Sequence, residues 1–382
     1  MGEGALMEFL SAKKSDLILV LVTLCLVTFG TAMIYSSSFI MASSMKGDGY
    51  YFLKRQLGFF AAGLGLMYLF SRMHYERLRK FAYPALGLAA VLLVALMIPG
   101  IGIRKNGATR WLNLGFFAFQ VAEFAKVAII LFLAHYLASN EKYLREFKRG
   151  FLIPLGIAGV LMVLIIRQPD FGTMVIIGVI LMAMLCLAGS RMLHIAALVA
   201  AAVPVGVWMI LSNPYRMKRI LSFRNPWESA RDSGFQIIQS WLSFGSGGPF
   251  GVGLGDGMQK LFYLPEPHTD FILSVVAEEA GFIGVAAVIA LFCIFVIKGF
   301  IIAFKKQDTF GTLLACGITM LIGLEAIINI AVVLGLIPTK GLALPFMSYG
   351  GSSLVMSMIC VGILLNISTA SENRAAARRA RN

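Results

Sequence analysis

Charge is what this sequence has least of. Asp, Glu, Lys and Arg make up 14% of its 382 residues, against about 25% in an ordinary soluble domain, while 59% are apolar and the mean hydropathy is +0.83. That combination excludes a water-soluble globule and leaves the apolar runs to supply the architecture. Cysteine is sparse and unpatterned. Cys25, Cys186, Cys293, Cys316 and Cys360 each sit inside an apolar run without CxxC spacing, which argues against a zinc or dithiol site and for small buried apolar side chains. Glycine-rich stretches are present, but no strand precedes them and no βαβ unit follows, which excludes a dinucleotide-binding fingerprint. The sequence shows no dedicated cage of metal ligands either.

What is there is a series of long apolar runs. A bilayer core about 30 Å thick needs about 20 apolar helical residues, and ten runs approach or exceed that length: 17–40, 51–71, 81–99, 121–138, 151–166, 171–189, 192–211, 271–297, 312–337 and 348–368. The first follows Lys13 and Lys14 and far exceeds the about 7–15 residues of a signal-peptide core, so it reads as a retained transmembrane helix. The fifth is short and the eighth long, which implies unequal tilt or depth. With ten spans the connections alternate between two sides, and the cations sort with them. One side carries Arg72, Arg77, Arg79, Lys80, Lys142, Arg145, Lys148 and Arg149, together with both basic ends of the chain. The short loops opposite carry far fewer, and the richer side is cytoplasmic by the positive-inside rule. The expected fold is an all-α polytopic integral membrane protein with both termini cytoplasmic. A cytoplasmic N-terminus covers 1–16, a ten-helix membrane domain 17–368, and a basic cytoplasmic tail 369–382. The net charge of +14 is then mostly topogenic, facing the anionic inner leaflet, and nucleic acid is not needed to explain it.

The longest polar stretch, 212–270, falls between spans 7 and 8 on the extracytoplasmic side and is long enough to be a functional element. It holds Asn213-Pro214-Tyr215, Asn225-Pro226-Trp227, Gly245-Ser246-Gly247-Gly248 and Gly251-Val252-Gly253-Leu254-Gly255, and it ends Pro265-Glu266-Pro267-His268-Thr269-Asp270. It reads either as a lid lying on the membrane or as a ligand-contacting loop. A second outer loop, 100–120, sets Arg104, Lys105 and Arg110 beside Trp111, as an interfacial anchor or as a site for an anionic headgroup.

Ionisable residues at membrane depth are costly unless paired or hydrated. Glu123 and Lys126, three apart near the outer end of the fourth span, share a helix face as an ion pair. Glu325, mid-span with Asn329 one turn on, fits a hydrogen-bonded packing contact. Asp170, after Arg167-Gln168-Pro169, fits an N-cap of the sixth span. Asp270 closes the long polar loop and opens the eighth span, where capping and proton-transfer chemistry are equally open to it. Glu278 and Glu279 lie about two turns deeper, where a polar cavity open to the outside would explain an acidic pair.

In order along the chain, these segments resemble the SEDS family (shape, elongation, division and sporulation). The resemblance is carried by Arg110-Trp111 with Phe119-Gln120 and Glu123, Gln168-Pro169-Asp170-Phe171-Gly172-Thr173, the two glycine motifs, Gln259-Lys260, Leu264-Pro265-Glu266, His268-Thr269-Asp270-Phe271-Ile272, Glu278-Glu279, and 345–353 with Ser348 in its middle. Asn225-Pro226-Trp227 and Pro338-Thr339-Lys340-Gly341 are more similar to its division branch than to its elongation branch. One departure is Val121, where the family usually has proline.

The resemblance implies a peptidoglycan glycosyltransferase that polymerises lipid II, the undecaprenyl-pyrophosphate-linked disaccharide pentapeptide, into glycan strands at the outer face of the bacterial cytoplasmic membrane, at the division septum. It also implies as partners a class B penicillin-binding protein (a transpeptidase) and other membrane proteins of the division machinery. The chemistry needs a base for the acceptor hydroxyl and positive charge for the departing pyrophosphate. Asp270 is the expected base. Arg110 and Lys126, the latter oriented by Glu123, are expected to hold pyrophosphate, with any Mg²⁺ or Mn²⁺ shared with substrate phosphates. His268, Thr269, Gln168, Asp170, Glu278, Glu279, Lys340 and Ser348 complete the expected substrate-binding set. Two other classes stand beside this one: a lipid-linked precursor transporter, which mid-span Glu325 favours although no internal repeat is evident, and a scaffold that recruits a synthase.

Overall fold

A computed structural model describes residues 14–379 apart from 106–107, 116, 233, 259–264, 266 and 306–307. Residues 1–13 of the expected N-terminal segment 1–16, the end of the basic tail, and the motif residues Gln259, Lys260, Leu264 and Glu266 lie outside the described residues.

The long helices are α1 Lys14–Lys46, α2 Tyr51–Arg72, α3 Tyr75–Ala95, α4 Val121–Ser139, α5 Ile153–Arg167, α6 Phe171–Ala188, α7 Met192–Leu211, α10 Ile272–Lys305, α11 Thr309–Val333 and α12 Gly351–Arg379. Two shorter helices, α8 Pro214–Arg224 and α9 Phe235–Gly247, lie between α7 and α10. Nine of the described helices are long and apolar enough to cross a membrane; α2, which carries Lys54, Arg55 and Arg72, is less apolar. The chain is therefore a multi-pass membrane protein. Three of the starts are capped by a side chain. Asp170 Oδ1 accepts from Thr173 N at 3.1 Å to cap α6, Asn213 Oδ1 accepts from Tyr215 N at 3.0 Å to cap α8, and Asp308 Oδ2 accepts from Gly311 N at 2.9 Å to cap α11.

Helices α4, α11 and the first twenty residues of α12 form the buried centre, and α7 is almost wholly exposed at the edge. α2 runs closely along α12, where Gly362 lies against the backbone of Met67. Small residues allow such close approach where no hydrophobic force drives helices together.

Two outer segments depart from the expectation of irregular loops. The stretch after α3 forms a three-stranded antiparallel sheet, β1 Gly102–Lys105, β2 Ala108–Asn113 and β3 Ala118–Gln120, with Trp111 paired to both Ile103 and Gln120. Backbone groups that loops would leave to solvent are paired there across short hairpins. The stretch 212–270 is not a plain glycine lid either. It builds α8, a single turn at Pro226–Ser229, and α9, which packs on α10.

The excess length of the eighth span also has a specific cause. α10 is broken at Gly281 (φ 66°, ψ −166°), where the glycine loop after α9 docks. A Cβ at Gly281 would lie 2.7 Å from Phe250 C and from Pro249 O, and one at Gly251 would strike the carbonyl of Glu279. Both sites also have positive φ, the left-handed region that glycine enters without steric cost. Gly281→Ala is expected to destabilise the folded protein by about 1–3 kcal/mol, read as a lowered thermal midpoint in detergent, whereas Gly58→Ala, which meets open space, should leave the midpoint unchanged.

Candidate functional site

Asp270 sits in the turn that leads into α10, half-buried. That turn is laced to the segment 338–350 by two direct hydrogen bonds and by two from Asn329, which bridges them. Asn329 Nδ2 donates to Asp270 O (2.8 Å) and to Leu342 O (2.7 Å), Ser348 Oγ donates to Thr269 O (2.6 Å), and Tyr349 N donates to His268 O (2.8 Å). Ser348 Oγ in turn accepts from Leu344 N at 2.8 Å. The His268 ring is buried between Phe52 (4.7 Å between centroids) and Tyr349 (5.7 Å). The carboxylate of Asp270 faces Gly341, where a Cβ would stand 3.1 Å from Oδ2. Any side chain at 341 would press on it, so Gly341 is a spacing residue.

Cations converge beside this turn on one aromatic ring. Phe171, the first residue of α6, has the Arg216 guanidinium 5.1 Å from its centroid and Lys340 Nζ 5.8 Å from it. Arg219, one turn along α8, donates to Thr339 O at 2.8 Å and so ties that helix to the Lys340 segment. Burial lowers the Lys340 pKa below the ordinary lysine value, because desolvation disfavours the ammonium form. The α6 N-terminus adds the positive end of a helix dipole at the same place. Sequence reasoning passed over Arg216, Arg219 and Phe171. The signal was an N-capped helix, Asn213-Pro214, carrying arginines three apart within the most polar outer segment.

Other expected site residues are occupied in ways the sequence did not reveal. Arg110 donates through Nε to Gln168 O (3.2 Å) and through Nη2 to Pro169 O, with Asp170 Oδ2 3.9 Å from Nε. Gln168 Nε2 donates to Leu93 O at 3.1 Å. Arg110 thus clamps the Gln168-Pro169-Asp170 segment in place with two of its three nitrogens. Lys126 is 3% exposed, pairs with Glu123 Oε1 at 2.8 Å and also with Glu325 across the helix interface. Its ammonium is spent on two carboxylates, which departs from the expectation that it holds pyrophosphate. Glu325 departs likewise, being ion-paired where a packing contact with Asn329 was expected.

Glu278 and Glu279 are buried, where a cavity open to the outside was expected. Glu279 accepts from Ser36 Oγ (2.7 Å) and Gly255 N (3.0 Å), and Glu278 from Met258 N (2.8 Å). Their backbone carbonyls accept from Val252 N and Gly253 N. The acidic pair holds the glycine loop against α10, which is the packing reason its sequence position lacked.

Removing Lys126 alone strands two buried carboxylates. Lys126→Met is expected to cost about 3–5 kcal/mol, and a second change, Glu325→Met, should restore part of that loss. Denaturation of the single and double variants in matched detergent checks the coupling, and equal destabilisation by both would refute it.

Comparison with known proteins places the chain. Residues 16–373 match the family described as cell cycle protein, FtsW/RodA/SpoVE. A probable peptidoglycan glycosyltransferase FtsW from Geobacter sulfurreducens is 45% identical over 357 residues, covering 94% of this chain and 96% of that one. Stage V sporulation protein E of Bacillus subtilis is 43% identical over 361 residues, covering 94% and 99%. Among solved structures, a chain from work on the coordination of polymerization and crosslinking by a peptidoglycan synthase complex superimposes with a TM-score of 0.75 at 29% identity, covering 92% of this chain and 97% of that one. The rod shape determining protein RodA of Thermus thermophilus has the same fold, with a TM-score of 0.68 at 24% identity over 92% and 95%. With the family match running through all the described spans and the site between them, this chain belongs to the FtsW/RodA/SpoVE family.

Proposed function

We propose that the chain is a peptidoglycan glycosyltransferase that polymerises lipid II, with Asp270 as the general base. The enzyme class rests on relatives of that name that align over nearly the whole chain. The observation that carries the mechanism is the Asp270 carboxylate lying against Gly341, the chain neighbour of Lys340, which shares the Phe171 ring with Arg216. The acceptor sugar's 4-hydroxyl oxygen attacks the donor anomeric carbon, its proton passes to the Asp270 carboxylate, and the C1–O bond to undecaprenyl pyrophosphate breaks. One displacement inverts the α linkage to β. Cations preorganised around the leaving group stabilise the charge that develops there.

In this reading the phosphate role passes from Arg110 and Lys126 to other cations. Lys340 and Arg216, flanking Phe171 at the α6 N-terminus, take the donor pyrophosphate, while Arg110 with Gln168 and Asp170 shapes that side of the site. Thr269, His268 and Ser348 position the Asp270 turn. The Lys126, Glu123 and Glu325 triad sets helix geometry, and Glu278 with Glu279 anchors the glycine loop. Among the described residues no three His, Cys, Asp or Glu gather as a metal-ligand set, and no step here is routed through a divalent cation. Transport loses its main support, since Glu325 is bound to Lys126. In the cell the chain would act at the outer membrane face of the division septum, beside a class B penicillin-binding protein and other membrane proteins of the division machinery.

Purified protein given lipid II without ATP or an ion gradient should yield glycan strands, and Asp270→Asn should lower the rate by about 10²-fold or more while keeping its thermal midpoint. Normal polymerisation by a folded Asp270→Asn protein would sink the base assignment; lipid movement without polymer would favour transport. Because Lys340 binds anions only as ammonium and its pKa is depressed, KM for lipid II should rise on the alkaline side, at a pH below the ordinary lysine value of about 10.4. Lys340→Arg should remove that rise, since guanidinium keeps its proton.

A further inference from the structure

Helices α1 and α2 form an open apolar groove of about 310 Å³, lined by Thr28, Thr31, Ala32, Tyr35, Leu53, Leu57 and Phe60. Its mouth is aromatic. Tyr35 stacks on Tyr50 (5.7 Å, 13° between planes) with Phe39 edge-on to both, and the two tyrosines are 37% and 48% exposed. The turn between the helices is built to set Tyr50 there. Asp48 Oδ1 accepts from Tyr50 N at 3.0 Å, its other oxygen pairs with Lys54, and Gly49 lies flat against the Phe39 ring, where a Cβ would come within 2.5 Å.

Two cations sit at the same mouth. Lys46 Nζ and the Arg55 guanidinium approach the Tyr51 ring at 5.7 and 5.1 Å. No carboxylate pairs with Lys46 among the described residues, and Arg55 bonds the Tyr349 hydroxyl. From the mouth the ring contacts run inward, Tyr51 to Phe52 (5.2 Å) and Phe52 to His268, and end two residues from Asp270. An apolar furrow, cations and stacked exposed rings match, respectively, the isoprenoid tail, the pyrophosphate and the sugars of a lipid-linked amphiphile.

The function proposed above uses two such molecules. The donor reacts at the sugar carbon that bears its pyrophosphate, so its phosphates belong beside Asp270, where Lys340 and Arg216 stand. The acceptor reacts through a hydroxyl on the far sugar of its disaccharide, so its pyrophosphate must lie a disaccharide away from Asp270. We propose that the α1–α2 groove seats the acceptor lipid II: its tail against Leu57 and Phe60, its pyrophosphate on Lys46 and Arg55, and its sugars across Tyr50 toward His268. The placement rests on the enzyme reading, but the occupancy can be tested apart from it.

Native mass spectrometry of the full chain carrying Asp270→Asn, titrated with tail-intact lipid II over a background of phosphatidylglycerol, should count two lipid II molecules bound. Adding Leu57→Trp, which fills the furrow, should leave one. Lys46→Ala and Tyr50→Ala, at exposed positions that spare the fold, should each weaken the second molecule about tenfold, or ~1.4 kcal/mol, and leave the first unchanged. A count that stays at two with Leu57→Trp, or unaltered affinity in both surface variants, would overturn the proposal and reduce the aromatic mouth to a membrane-interface belt. If the count falls from two to one but the unsubstituted protein makes no glycan from lipid II, the groove stands and the enzyme reading fails.

Discussion

A charged or strongly polar group inside a bilayer must find its partners within the protein, and α11 is where this chain meets that requirement. Glu325 on α11 pairs with Lys126 on α4, and Glu123 completes the triad from one turn along α4. The pairing sets the rotation of α11 about its own axis. One turn further along the same helix face, Asn329 then points at the Asp270 turn and at Leu342, and its amide binds both backbones. Ion pairing at membrane depth thus fixes the position of the carboxylate proposed to do the chemistry. A buried pair gains little net stability over apolar packing, and here it contributes orientation.

The same economy appears a few turns into α10. Gly281 breaks the helix so that the glycine loop can lie against it, and Glu278 and Glu279 accept from that loop's amides. Ser36 on α1 joins the cluster. Because α1 also carries Tyr35 and Phe39, one helix links the anchored loop to the aromatic mouth. The cations fall into two groups, Lys340 with Arg216 around Phe171 and Lys46 with Arg55 around Tyr51. A reaction between two pyrophosphate-linked molecules needs two such places.

Residues whose role is set by near neighbours in sequence were legible beforehand. Asp170 as a helix cap depends only on Thr173, and Glu123 with Lys126 depends on helical spacing. The exposure of long apolar runs followed from composition alone. Illegible roles were those decided by a partner far along the chain: Glu325 for Lys126, Ser36 for Glu279, Gln168 and Pro169 carbonyls for Arg110, and Phe171 for Arg216 and Lys340. No local pattern distinguishes an arginine that will meet a backbone carbonyl from one that will meet a phosphate. The outer sheet was missed because its strands are short and its apolar residues resemble an interfacial anchor.

The sequence by itself determined that this is a helical membrane protein with its distinctive polar residues gathered outside the apolar runs, because the cost of exposing backbone and charge to lipid depends on composition and length. Its ordered motifs also determined the family. Which of those polar residues remain available for a substrate was decided only by tertiary structure, since a charge buried with its counter-ion is chemically spent and burial is a property of packing. Lys126 is held between Glu123 and Glu325, Glu278 and Glu279 bind amides of the glycine loop, and Lys340 and Arg216 share the Phe171 ring near the proposed base.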